Sequence, residues 1–314
     1  MVLETDFVIR APTWDDLDAV LALIWACEAH DEGDAELMVD DLRGHWSRAR
    51  FDLERDAWVV AAGDGRLAGY ADVWDRAAGE RFLAGGYVRP DCRGHGVGTF
   101  LVRAAEERAN AKATPGARAT ISHTIFRDNE AAVRLLVAEG YTPAQHYWRM
   151  VMDLASTLPE PVQPGGISIR SYVAGQDDQA VWALVQEAFA DNQDYLALPF
   201  EEWALFMLDR ETFDPSLYFI ADAGEEIAGV ALCPKYEGWA WVRQLAIRRK
   251  WRRRGVGRAL MQVAFAEFRR RGYGKVGLST DSYNRTGARR FYESLGMAVE
   301  RQHDGYEKKL GARS

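Results

Sequence analysis

The chain has 314 residues, 48% apolar and 27% charged, the balance of a globular protein with a buried core and a length that suggests two domains or one large one. Its formal charge of −8 disfavours a generic nucleic-acid binder. Cys27, Cys92 and Cys233 lack CxxC spacing and the six histidines form no HExxH, which argues against a disulfide framework or a metal site. The N-terminus MVLETDFVIR lacks a signal-peptide pattern, and no apolar run approaches the ~18 residues of a membrane span. A cytoplasmic protein without nucleic-acid or membrane partners is expected, as a monomer or homodimer.

The first predicted element is a short strand over Phe7 to Arg10. A helix follows, with Leu17, Val20, Leu21 and Ile24 on one face at i, i+3, i+4, i+7 spacing. An acidic stretch (Asp31, Glu32, Asp34, Glu36, Asp40, Asp41) leads to two strands joined at Gly63-Asp64-Gly65. A third strand runs into Arg93-Gly94-His95-Gly96-Val97-Gly98, then helix, strand, helix and strand.

The same order then begins again. Ile169-Arg170 opens a strand as Ile9-Arg10 does (169 − 9 = 160), and Val181, Leu184, Val185 and Ala188 mark the next helix face. Acidic Asp191, Asp194, Glu201 and Glu202 follow, then aromatic Tyr195, Phe200, Trp203 and Phe206 fit either an acceptor wall or a core helix. Ala221 to Ala231 (ADAGEEIAGVA) lines up with Ala61 to Ala71, and a strand from Trp239 to Ile247 meets Arg252-Arg253-Arg254-Gly255-Val256-Gly257 (252 − 93 = 159). The helix beginning near Val256 carries Leu260, Ala264 and Phe268 on its apolar face, and Asn284 answers Asn129 (284 − 129 = 155). This is a tandem duplication. Met152 to Gly166 contains Pro159, Pro161 and Pro164 and ends in two glycines, which fixes extended backbone and marks a linker. The expected division is 1–155, linker 156–166, and 167–314.

Strand, then R-x-x-G-x-G, then helix is the feature that carries chemistry. Glycines at a helix mouth let backbone N–H groups approach an anion, and the helix dipole favours a phosphate there. A tight turn needing positive φ is the plainer alternative for one copy; two copies at equal spacing favour the phosphate. A P-loop needs GxxxxGK[ST], and no lysine follows either loop; a dinucleotide fold needs GxGxxG after the first strand of a βαβ unit. Neither fits.

The pattern resembles the GCN5-related N-acetyltransferase (GNAT) superfamily, whose [QR]-x-x-G-x-[GA] loop holds the pyrophosphate of acetyl coenzyme A. The resemblance covers nearly the whole chain as two α/β (α+β) domains, each a mixed, mostly antiparallel sheet flanked by helices, and is similar to tandem members of the mycothiol-synthase type. It implies donor binding by Leu245, Ala246 and Ile247 of the strand, by Arg252, Arg253, Arg254, Gly255, Val256, Gly257 and Arg258, and by Asn284. In the first half it implies the same of Val88, Arg93, Gly94, His95, Gly96, Val97 and Gly98. The resemblance makes Tyr292 the proton donor to the departing thiolate, since a phenol of pKa ~10 stays protonated at neutral pH. Asp281 and Glu237 lie near the expected cleft, and a water chain serves equally as base. No metal is implied.

In the first half Leu136 aligns with Tyr292, so that domain is expected to be degenerate. His123 on the preceding strand is a candidate substitute acid or base, or a structural histidine. Seven of the eleven residues from Arg248 to Arg258 are basic, an arrangement the phosphates of the donor explain better than nucleic acid does. The acidic stretches suit either a cationic amine or solvated helix faces. The expected activity is acetyl transfer from acetyl-CoA to a primary amine of a small molecule, catalysed by the C-terminal domain. A non-catalytic acyl-CoA sensor and a protein N-acetyltransferase are the rivals.

Overall fold

The computed structural model describes residues 7–311 apart from Glu36, Ala49, 156–162, Gln193, Asp194, Glu237 and 282–286. The chain forms two compact units, Met1–His146 with His303–Ser314, and Tyr147–Gln302. This division falls inside two strands, after His146 and after Gln302.

The N-terminal unit runs β1 (Val8–Arg10), α1 (Leu17–Glu32), α2 (Val39–Trp46), α3 (Leu53–Asp56), β2 (Ala57–Ala61), β3 (Leu67–Asp75), β4 (Arg81–Val88), α4 (Val97–Lys112), β5 (Thr120–Phe126), α5 (Glu130–Ala138) and the start of β6 (Thr142–Asp153). Strands β1 to β4 pair antiparallel in sequence order, and β4 pairs parallel with β5. The chain's terminal segment His303–Lys309 then pairs antiparallel with β5 and adds a strand to this unit's sheet. The expected face of α1 is buried at Leu17, Val20, Leu21 and Ile24, packed with Leu42, Trp46 and Tyr70 on one side of the sheet. Gly33 ends the helix at φ 87°. Helix α4 covers the other side through Val97, Leu101, Val102 and Ala105. Burying both faces explains why β3 is buried along its whole length.

The C-terminal unit contains the end of β6, then β7 (Ser168–Ser171), α6 (Asp178–Phe189), α7 (Phe200–Met207), β8 (Tyr218–Asp222), β9 (Ile227–Leu232), β10 (Ala240–Trp241), β11 (Gln244–Ile247), α8 (Val256–Arg270), β12 (Lys275–Asp281), α9 (Ala288–Glu293) and the start of β13 (Ala298–Lys309). Strands β7, β8, β9 and β11 form an antiparallel sheet. Strand β10 pairs parallel with β12, which pairs antiparallel with Tyr147–Asp153 of β6. The single strand expected from Trp239 to Ile247 is broken at Val242 and Arg243. The Val242 N–H donates to Gly277 O at 2.9 Å, and the next N–H, on Arg243, donates to Leu232 O at 3.0 Å. Successive donors serve opposite neighbours, so the chain changes partner there.

Trp203 is 2% exposed and packs with α6 residues Val181, Leu184 and Val185, with Phe200 and Phe206 against the same cluster. These aromatics are core rather than an acceptor wall. No helix among the described residues is long and apolar enough to cross a membrane.

Candidate functional site

In both units two parallel strands start together and then separate. Strands β4 and β5 pair from Arg81/Thr120 to Ala84/His123, after which Gly85–Val88 keeps only its antiparallel partner β3. Strand β10 likewise pairs with β12 only at Ala240 and Trp241, and β11 continues against β9 alone. Among the described residues the outer edge of Leu245, Ala246 and Ile247 has no strand partner. An unpaired edge offers N–H and C=O groups to an extended ligand arm. The Gly85-Gly86 pair within a strand is a signal of close backbone approach.

Each separated strand runs into its glycine loop, and the two loops are built alike. Arg93 Nε donates to Val88 O at 3.2 Å, while its terminal nitrogens donate to Asp31 at 2.7 and 2.8 Å. Arg252 Nε donates to Ile247 O at 3.2 Å, and its terminal nitrogens reach Asp191 at 2.9 Å and Ala188 O at 2.8 Å. The first arginine of each motif thus ties the loop to the preceding strand and to the helix opening its half. Its side chain shapes the loop. Asn129 adds to this brace in the N-terminal unit, donating to Asp31 at 2.8 Å and capping α5 by accepting from Ala132 N. Its counterpart Asn284 lies outside the described residues.

Gly96 (φ 86°) and Gly255 (φ 83°) are the N-caps of α4 and α8, and neither helix has a side-chain cap. The first-turn N–H groups of Val97 and Gly98, and of Val256 and Gly257, thus face out of the helix end with the positive end of the dipole behind them. That arrangement suits a diphosphate. His95 lies between the two left-handed glycines of the first loop, Gly94 and Gly96.

The basic run of the second loop is mostly engaged with protein. Arg248 pairs with Glu187, Arg249 with Asp191, and Lys250 with Glu226. Arg254 lies over the Trp251 ring, and Arg258 donates to Ser294 Oγ at 2.8 Å. The donor's phosphates are therefore not needed to explain the cluster. The carboxylates come from far along the chain, so spacing does not reveal them.

In the N-terminal unit the separated strands, the loop, α1 and α5 enclose a cavity of about 630 Å³. Val88, Arg93, Gly94, Gly96 and Gly98 line it, as do Asn129, His123 and Leu136. His123 is 5% exposed, and its Nε2 has no hydrogen-bond partner among the described residues. Burial pulls its imidazole pKa down to about 4 against a weaker opposing effect of Asp72, so the ring is neutral at pH 7. Leu136 is buried at 2% exposure.

Tyr292 sits on α9, partly buried against the core of the C-terminal unit beside Phe291. Among the described residues its hydroxyl has no hydrogen-bond partner, and burial raises the phenol pKa above its ordinary value. Asp281 ends β12; Glu237 is outside the described residues.

Comparison with known proteins gives this geometry a name. The model of the acetyltransferase (GNAT) family matches residues 17–141 and again 179–297. The chain belongs to the GNAT family. It is 33% identical to a mycothiol acetyltransferase of Thermobispora bispora over 301 residues, covering 90% of this chain and 92% of that one. A mycothiol acetyltransferase of Thermomonospora curvata is 31% identical, with 90% of each chain covered. A GCN5-related N-acetyltransferase structure from Sphaerobacter thermophilus superposes with a TM-score of 0.82 at 34% identity, covering 98% of this chain and 97% of that one. A tandem GNAT protein from the clavulanic acid biosynthesis pathway shares the fold (TM-score 0.74, 18% identity, 98% and 99% covered). The chain is thus an acyltransferase with two GNAT domains in tandem, each a mostly antiparallel sheet flanked by helices, from a family that uses acyl-CoA.

Proposed function

We propose that this GNAT chain is an acetyl-CoA-dependent N-acetyltransferase acting on a primary amine of a small molecule, with transfer in the C-terminal unit. The acceptor proposed is of the mycothiol type named for its relatives. The observation that carries the assignment to this unit is Tyr292: a phenol whose hydroxyl has no hydrogen-bond partner among the described residues stands on α9, where the N-terminal unit presents Leu136.

The residues divide the work physically. The uncapped start of α8 holds the diphosphate of the donor through backbone N–H groups, and the free edge of β11 aligns its arm. An N–H of that edge polarises the thioester carbonyl. The amine nitrogen bonds to the carbonyl carbon and the C–S bond breaks. Tyr292 gives its proton to the departing sulfur, and the amine loses one to solvent. A phenol whose pKa is raised by burial keeps that proton until a thiolate forms. The three cysteines are buried and free, which suits a reducing compartment, and the cytoplasm is the location proposed.

Tyr292→Phe is expected to lower kcat for thiol release from acetyl-CoA by about 100-fold, with donor binding by calorimetry unchanged. Undiminished turnover in that variant would remove Tyr292 from the mechanism.

A further inference from the structure

We propose that the N-terminal unit holds an acyl-CoA whose acyl group is an aliphatic chain longer than acetyl, with Gly86 as the residue that admits it. The proposal rests on the reading of the Arg93–Gly98 loop as a coenzyme A site and goes beyond it by naming the acyl class.

The strand decides where the acyl end lies. A diphosphate at the start of α4 puts the arm of its ligand against Gly85–Val88, the part of β4 that has left β5. That stretch is roughly 13 Å long at ~3.3 Å per residue. An arm laid along it from the loop carries its acyl end to the Gly85-Gly86 pair.

The backbone does not call for glycine at either position, since neither residue has a positive φ. A Cβ on Gly85 would meet Asp72 Oδ1 at 3.4 Å, whereas one on Gly86 would meet nothing nearer than Ala71 Cβ at 4.0 Å. Gly86 is exposed and lines the cavity of about 630 Å³. Glycine inside a strand costs conformational entropy and gives up a packing side chain. What it leaves here is room.

The walls of that room are apolar. Strand alternation puts Gly86 on the face of Phe82 and Ala84, which pack with Val102 of α4 and Leu136 of α5. Val102, Leu135 and Leu136 all line the cavity. The C-terminal unit carries larger groups at the matching positions. Leu245 answers Gly86 at the offset of the loop arginines (245 − 86 = 159; 252 − 93 = 159), and packs against the core with Phe291 and Tyr292. Phe291 stands at Gly257 as Leu135 stands at Gly98, and Tyr292 aligns with Leu136. Glycine, leucine and leucine thus stand where the other unit has leucine, phenylalanine and tyrosine. An acyl chain about four carbons longer than acetyl replaces the absent leucine side chain volume for volume, so hexanoyl is the matching size.

The test uses the full chain carrying Gly257→Leu, which crowds the C-terminal loop, titrated by calorimetry with coenzyme A, acetyl-CoA and hexanoyl-CoA. One equivalent of each should bind, hexanoyl-CoA at least ~10-fold more tightly than acetyl-CoA, the scale of an added methylene in an apolar pocket. Adding Gly86→Leu should abolish that preference by weakening hexanoyl-CoA, with the affinity for acetyl-CoA kept. If Gly86→Leu loses all three ligands, Gly86→Ala, which adds one carbon in open space, takes its place and should narrow the preference. Equal affinity for acetyl-CoA and hexanoyl-CoA overturns the acyl class and leaves the coenzyme A reading standing. A preference unmoved by the Gly86 variants overturns the role of Gly86. Hexanoyl-CoA binding that survives addition of Gly98→Leu puts the chain outside this cavity and overturns the proposal. Binding of none of the three in Gly257→Leu, with the native chain binding one equivalent, overturns the coenzyme A reading as well.

Discussion

Arg93 reaches Val88 O and Asp31; Arg252 reaches Ile247 O and Asp191. The two loops share this brace, the left-handed N-cap glycine and the uncapped helix start, although 159 residues separate them (252 − 93). Behind the loops the likeness ends. One unit has Leu136 and a buried His123 whose Nε2 has no hydrogen-bond partner among the described residues; the other has Tyr292 and, opposite Gly94, the arginine Arg253 at φ 60°. What the duplication kept is the scaffold that presents backbone donors. What diverged is the set of side chains behind the loops, so on the proposed function holding a donor and turning it over are separable properties of this fold.

The largest effect should come from closing one loop at a time. A Cβ on Gly98 would meet Leu135 Cδ2 at 3.0 Å, and one on Gly257 would meet Phe291 Cζ at 3.4 Å. A leucine at either position has to push α5 or α9 aside or project over the helix mouth. Gly98→Leu and Gly257→Leu should each remove one of two equivalents of acetyl-CoA bound by the native chain, read by calorimetry. If one variant removes both equivalents, the loops are not independent sites.

Much of this was legible in the sequence because it is local. The repeat, the glycine loops, the helix starts at Val97 and Val256 and the buried faces of α1 and α6 all follow from spacing within a few residues. The sharing of two strands between the units was not. β6 and β13 each divide between the two units, and nothing in a strand's own alternation says which sheet edge it will complete. The break at Val242–Arg243 is equally silent, since it is set by hydrogen bonds to Gly277 and Leu232. The pairing of the arginine run is silent for the same reason: Glu187, Asp191 and Glu226 meet Arg248, Arg249, Lys250 and Arg252 from other elements. His123 was visible as a histidine on a strand, but its burial and vacant Nε2 arise only when β5, α5 and Tyr141 meet.

His123 also sharpens the comparison through pH. Its folded pKa, about 4, is lower than the unfolded value near 6.5. Below pH 6.5 the unfolded chain therefore takes up a proton that the folded chain refuses, and stability falls until the pH reaches about 4. A shift of that size corresponds to about 3 kcal/mol for the N-terminal unit. His123→Phe should flatten this acid limb of the melting profile. Leu278 of the C-terminal unit, which answers His123 at the same offset as the two asparagines (278 − 123 = 155), gives that unit no such limb. An acid limb that survives in His123→Phe would assign the loss of stability to other groups.

The smallest effect lies within the loops themselves. Gly94 adopts φ 88° freely, whereas Arg253 holds φ 60°, a region that costs an L-residue roughly 1–2 kcal/mol. Arg253→Gly relieves that strain but adds the chain entropy of glycine, leaving a gain of about 0.5–1 kcal/mol and a rise in melting temperature of about 1–4 °C. Gly94→Ala should move the N-terminal unit the other way by a similar amount. The exposed guanidinium of Arg253 stands beside the uncapped helix mouth, so Arg253→Gly should also weaken acetyl-CoA binding by a few-fold, with a shallower dependence on salt. A gain in stability paired with that loss would mean the strain is retained for charge at the donor site. A gain in stability with unchanged affinity would leave Arg253 outside the site and reduce the second loop to the backbone geometry it shares with the first.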